Sequence, residues 1–149
     1  MAVYYFTAEE LANRISAAAI KNIYDDDNDG TADSPAVDRL RADATSKVAS
    51  YLHGLYDLDV IAADPPNEVV RLALDVAVAY AAQRFPSYVR RDWKPLLEAA
   101  ELDLGRLRSG KTLLDVATVG ENHEQVRREN PVAPATEAPA RSFRDTGVF

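Results

Sequence analysis

The chain holds no cysteine, one methionine, one tryptophan and two histidines in 149 residues. Without thiols there is no disulfide framework and no thiolate metal site, which fits a reducing compartment. His53 and His123 lie in different segments, so no Ser/His/Asp or Cys/His set can be assembled and no enzyme is expected. Basic charge is also scarce: 17 Lys and Arg stand against 24 Asp and Glu, a net charge of -7. Such a chain is poorly suited to gripping nucleic acid, because that grip comes from neutralising phosphates. No apolar run reaches the roughly 20 residues that a bilayer crossing takes. The opening MAVYYFTAEEL lacks both the basic and the apolar regions of a secretory leader.

What is present is a core. Val69 to Ala82 reads VVRLALDVAVAYAA, interrupted only by Arg71 and Asp75. Those two are four apart, so on a helix they share a stripe and can pair. A helix apolar in nearly every other direction is buried among other elements. The expectation is a mainly α protein: a small four-helix bundle around this central helix, with a short extended segment and a long non-globular C-terminal tail. The boundaries are a helical domain over 1–119 and a tail over 120–149.

The elements follow in order. Residues 2–6 form a short strand or arm that packs Tyr4 and Phe6 on the core. Thr7-Ala8-Glu9-Glu10 is a capping box that starts helix one, which runs from about Ala8 to Ala18 or Ile20. Ser34 caps a second helix, with Pro35 at its first position, and Gly54 stops it after His53. YDLDVIAADPP reads as an extended connection. Asn67 caps the central helix, and Phe85-Pro86 ends it near Arg84. The last helix starts either at Ser87, kinked by Pro95, or near Trp93, and stops at Ser109-Gly110. Thr112 to Gly120 is β-branched enough for a short strand or arm.

The sharpest local pattern is YDDDNDGTADSP. Asp25, Asp27, Asp29, Gly30, Thr31 and Asp33 match positions one, three, five, six, seven and nine of a calcium-binding loop. Alternate carboxylates can turn toward one ion, Gly30 permits the sharp turn, and the Thr31 carbonyl can ligate. Position twelve fails, because Ala36 stands where a bidentate Glu belongs. Asp38 could replace it only with shifted geometry. Weak structural calcium binding through Asp25, Asp27, Asp29, Thr31 and Asp33 is therefore expected. The alternative is a solvated acidic turn whose Asp33 helps cap helix two.

Gly105 to Thr112 matches the phosphate-loop expression GxxxxGK[ST] letter for letter. That motif needs a buried strand before it and a helix after it. Here a helical periodicity precedes it, so a helix end with basic Arg106 and Arg108 is the better reading.

From Glu121 the chain is rich in proline and charge, too poor in apolar residues to offset its own ordering entropy. It nevertheless closes on Arg141, Ser142, Phe143, Arg144, Val148 and Phe149. Two explanations stand: a peptide that orders on a partner, or a frayed terminus.

Taken in order, YYFTAEELANRIS, the acidic stretch through SYLHGLYDL, DPPNEVVRLALDVAVAYAAQR, LRSGKTLL and SFRDTGVF resemble the small helical head–tail connector (adaptor, head-completion) proteins of tailed bacteriophages. The departures are Pro95 and a Pro-rich insert before the final motif. The resemblance implies a structural virion protein of the neck, assembled in the host cytoplasm. It implies a homo-oligomeric ring, a dodecamer matching the portal protein above it. A stopper, tail-terminator or tail protein would dock below, and DNA would pass the channel without sequence-specific binding. The C-terminal residues would dock on the portal. An alternative from a different class is a stand-alone calcium-binding interaction module.

Overall fold

A computed structural model describes residues 3–89, 92–114 and 116. Among these residues the regular elements are six helices: α1 (Ala8–Ile15), α2 (Ala17–Tyr24), α3 (Ser34–Leu52), α4 (Leu58–Ala63), α5 (Asn67–Arg84) and α6 (Trp93–Arg108). The mainly α expectation holds.

The central helix is α5, and it packs against α1, α3 and α6. Val69, Leu72, Val76 and Val78 are buried to within 1 % exposure. Side chains of this kind each contribute about 1.5–3 kcal/mol when taken from water. Ala73, Ala77 and Ala81 recur four apart, so their stripe lets a neighbouring helix approach closely. The one carboxylate in this surface is Asp75, 8 % exposed. Its pairing with Arg71 is present, Nη1 to Oδ2 at 3.4 Å. Arg14 of α1 adds a shorter contact at 2.6 Å to the other oxygen. Arg71 also reaches Glu68 and Asp103, both at 3.2 Å, which ties α5 to the far end of α6. The buried charge is therefore paired on both oxygens, the condition under which burial is tolerated.

Several expected boundaries change. Helix one is two helices, because Ser16 takes φ 123° and breaks the ladder; its hydroxyl then caps α2 by accepting from Ala19 N–H. The capping box of Thr7 and Glu10 forms as read, with Thr7 N–H donating to Glu10 Oε2 at 2.7 Å. Asp33, not Ser34, is the cap residue of α3, and Ser34 and Pro35 are its first two helical residues. The extended connection contains α4, capped by Asp57, whose carboxylate accepts from Asp59 and Val60 N–H. Six residues are too few for a helix to hold alone; burial of Ile61 docks this one. The cap position of α5 is Pro66, with Asn67 inside the helix. The last helix begins at Trp93, capped by Asp92, so Pro95 falls in the first turn, where no intrahelical N–H bond is lost.

The N-terminal segment carries a further correction. Residues 3–6 are not a strand, and Tyr5 rather than Tyr4 is buried beside Phe6. Tyr5 N–H donates to Thr45 Oγ1, and Arg41 donates twice to the Phe6 carbonyl, at 3.1 and 2.7 Å. The Arg41 guanidinium sits 4.0 Å from the Tyr4 ring centroid. Residues 112–114 are likewise not strand; Leu114 N–H donates to the Tyr56 hydroxyl. Residues 117–120 lie outside the described residues.

Candidate functional site

The acidic loop begins where α2 ends. Asp33 N–H donates to the Tyr24 carbonyl at 2.7 Å, which closes the loop into a compact turn. Asn28 (φ 59°) and Gly30 (φ 90°) supply the left-handed backbone that the turn requires. A Cβ on Gly30 would also meet Lys21 Nζ at 3.6 Å.

The structure brings three of the five predicted ligands together. Carboxylate oxygens of Asp25, Asp27 and Asp29 all lie within 4.8 Å of one another. Each carboxylate also braces the turn. Gly30 N–H donates to Asp25 Oδ2 and Asp29 N–H to Asp27 Oδ1, both at 3.1 Å. Thr31 donates to Asp29 Oδ1 from its N–H at 2.7 Å and from its hydroxyl at 2.6 Å. Those Thr31 bonds hold the Asp29 carboxyl below its ordinary pKa. Asp25 Oδ1 is buried without a hydrogen-bond partner. Asp33 does not join the trio: its carboxylate accepts from Asp26 N–H at 2.9 Å and makes no cap bond to α3. Thr31 enters these contacts only as a donor. Asp38, the substitute for position twelve, pairs with Arg41 at 3.0 Å instead. The donor set is three close carboxylates, hard oxygen ligands of the type calcium takes.

Sequence reasoning missed the neighbour of this loop. Arg84, at the end of α5, pairs with Asp26 at 2.6 Å and lies 5.0 Å from the Tyr24 ring centroid. No local pattern marks a partner 58 residues away. Around this pair a shallow cleft of about 220 Å³ is lined by Tyr24, Arg39, Asp43 and Tyr80. Burial pushes the Tyr24 hydroxyl up to about 12, with Arg84 pulling the other way.

The phosphate-loop look-alike is resolved by position. Gly105 to Arg108 is the last turn of α6, and Lys111 lies in the following turn, its N–H bonded to the Arg106 carbonyl. No strand precedes it, so the strand–loop–helix cradle is not built from these residues. The C-terminal candidates Arg141, Ser142, Phe143, Arg144, Val148 and Phe149 lie outside the described residues. Among the described residues no helix is long and apolar enough to cross a membrane.

The six helices make a small helical bundle, and one family match spans all of them and runs past the last. The chain belongs to the family described as Bacteriophage Mu, Gp36, whose profile matches residues 5–132. No curated protein and no solved structure gives a significant match.

Proposed function

We propose that this chain is a head–tail connector, a non-catalytic virion protein that forms a ring between the portal and the next neck or tail component. The carrying observation is the phage family match over residues 5–132. Three features fit a structural part: a core filled by α5, a paired buried carboxylate, and a helix end where a nucleotide loop would otherwise stand. The net charge of -7 suits a channel that DNA slides through, because few phosphates would be neutralised. A ring needs a heterologous interface that closes. Residues 141–149, with Arg141, Ser142, Phe143, Arg144, Val148 and Phe149, are the segment assigned to the portal. Electron microscopy of the protein mixed with portal tests this: stacked rings are expected with the full chain and bare portal with a chain ending at Ala140. Turnover of a substrate by the isolated protein, or equal portal binding by the shortened chain, would count against it.

A second reading concerns the loop and is favoured by the carboxylate trio and by the unpartnered Asp25 Oδ1. It holds calcium weakly as a structural ion, in the roughly millimolar range such loops reach. Free ion at about 100 times its dissociation constant would add about 2.7 kcal/mol. Millimolar calcium is expected to raise the melting temperature, and Asp27→Ala to abolish the rise. An unchanged melt removes the ion. Calcium-dependent partner affinity without ring formation would instead favour the stand-alone calcium module.

A further inference from the structure

We infer that Arg128-Glu129-Asn130-Pro131-Val132-Ala133-Pro134 docks as a polyproline-II strand on the exposed rings of Phe85 and Tyr88 of its own copy, with Arg128 turned to the acidic loop. This docking needs no portal and does not depend on the connector reading. It leaves residues 135–149 to project from the acidic-loop end of the bundle.

Phe85 (42 % exposed) and Tyr88 (44 %) lie in the turn that joins α5 to α6, with ring centroids 6.1 Å apart and planes tilted by 59°. Of the large hydrophobic side chains exposed among the described residues, these two alone are aromatic. The Arg84 guanidinium lies 5.9 Å from the Phe85 ring centroid and 5.0 Å from that of Tyr24, so the rings continue into the shallow cleft that Tyr24 and Tyr80 line. Arg84 itself is already paired with Asp26 at 2.6 Å. Exposed rings beside a shallow groove suit a proline-rich segment. The pyrrolidine packs on an aromatic face, and a polyproline-II backbone has little ordering entropy left to lose.

The chain beyond the bundle supplies such a segment. Pro131 and Pro134 are three apart, and Arg128 stands three before Pro131. Polyproline II turns once in three residues, about 9 Å, so these three side chains share one edge. The acidic loop lies one arginine side chain away from Phe85, across the Arg84–Asp26 pair. With the prolines on Phe85 and Tyr88, Arg128 therefore falls at Asp25, Asp27 and Asp29. Those three form no salt bridge among the described residues, and Lys21 acts on Asp29 only from beyond contact. Elsewhere the charge is mixed: Arg39 and Asp43 line the cleft, Arg90, Arg91 and Lys94 follow Tyr88 in sequence, and Glu129 follows Arg128. The rings and prolines thus carry the contact, and charge sets only the direction of the strand.

Tether length makes the same copy the partner. Val116 packs on the core beyond α6, and Leu114 N–H donates to the Tyr56 hydroxyl just before it. Arg128 is twelve residues further on, about 40 Å of extended chain. The sixteen residues of α6 span about 24 Å and begin where the Phe85–Tyr88 turn ends. The tail can therefore return along α6 to its own turn. A tether of this length gives a roughly millimolar effective concentration, which a second copy must exceed to compete.

Cysteine trapping tests this, because the chain has no cysteine of its own. Ser87 lies between Phe85 and Tyr88, Thr112 lies four residues before Val116, and both are exposed. Full-length S87C/A133C and T112C/A133C are treated in EDTA with a short bis-maleimide cross-linker. Chain statistics alone favour Thr112, which stands nearer the root of the tail. Docking should instead give S87C/A133C an intrachain product in about tenfold excess over T112C/A133C. Pro131→Ala with Pro134→Ala lies outside the buried core and should cut that product about tenfold. Phe85→Ser with Tyr88→Ser should do the same, with the thermal melt checking that the bundle is folded. Arg128→Glu should cut it about threefold. T112C/A133C linking as well as S87C/A133C, or a product undiminished by the proline changes, overturns the docking. An interchain product between separate S87C and A133C chains that matches the intrachain one overturns the assignment to the same copy. A ring on portal without the intrachain product would overturn the docking and leave the connector reading standing. The intrachain product without any ring would support the docking and count against the connector alone.

Discussion

Asp75 and Tyr24 show what single side chains do here. Asp75 is the polar atom set inside the most buried helix, and two arginines from different helices hold it there. The Arg71 contact follows from helical spacing alone, so it was legible in the sequence. The Arg14 contact spans 61 residues and has no local signature. Tyr24 gives a pH prediction. Burial raises its pKa from 10.0 to about 12, so the folded chain keeps this proton where the unfolded chain has lost it. The stability it contributes is complete below pH 10 and is lost as pH rises toward 12, with a slope of at most about 1.4 kcal/mol per unit. Urea midpoints measured from pH 9 to 11.5 should fall less steeply in Tyr24→Phe than in the native chain. Parallel slopes would mean that the hydroxyl ionises freely. Tyr5, whose pKa burial also raises, stays present in both and cancels in the comparison.

At the scale of elements, chain punctuation decides the architecture. Ser16 is the clearest case, a non-glycine residue at φ 123° and ψ 145° that both breaks one helix and caps the next. Backbone of this kind costs about 1–3 kcal/mol, and replacing a Ser cap by Gly costs only a few tenths. Ser16→Gly should therefore stabilise the protein by about 1 kcal/mol. Ser16→Ala keeps the strain and loses the cap, and should destabilise it by about 1 kcal/mol. Equal losses in urea unfolding would show that the cap is the whole effect. The break was hidden because AEELANRISAAAIKNIY keeps a helical apolar spacing straight through Ser16. Helix α4 was hidden for the opposite reason: six residues give too little periodicity, and only Asp57 as a cap could have marked it.

For the molecule as a whole, the proposed connector role assigns stability and assembly to different parts of the chain. The core is built from α1 to α6 with the segments that dock on it, from Tyr5 to Leu114. If the proposed division holds, removing residues 141–149 should leave the thermal melt within about a degree, while portal capture disappears. A melt lowered by several degrees would assign that segment to the bundle itself.

The sequence alone determined several features that depend on neighbours a few residues apart. That covers the buried central helix, the Thr7 capping box, the Arg71–Asp75 pair, the tight acidic turn and the helical setting of Gly105 to Lys111. Spacing along a helix or turn is fixed by backbone geometry, so residue type and interval suffice. Only the tertiary structure decided what depends on segments meeting across the bundle. Arg14 joins Asp75, Arg84 joins the acidic loop, and Asp33 and Asp38 turn away from the carboxylate trio. Those contacts follow from how the helices pack, and packing is a property of the whole set of buried faces rather than of any one stretch.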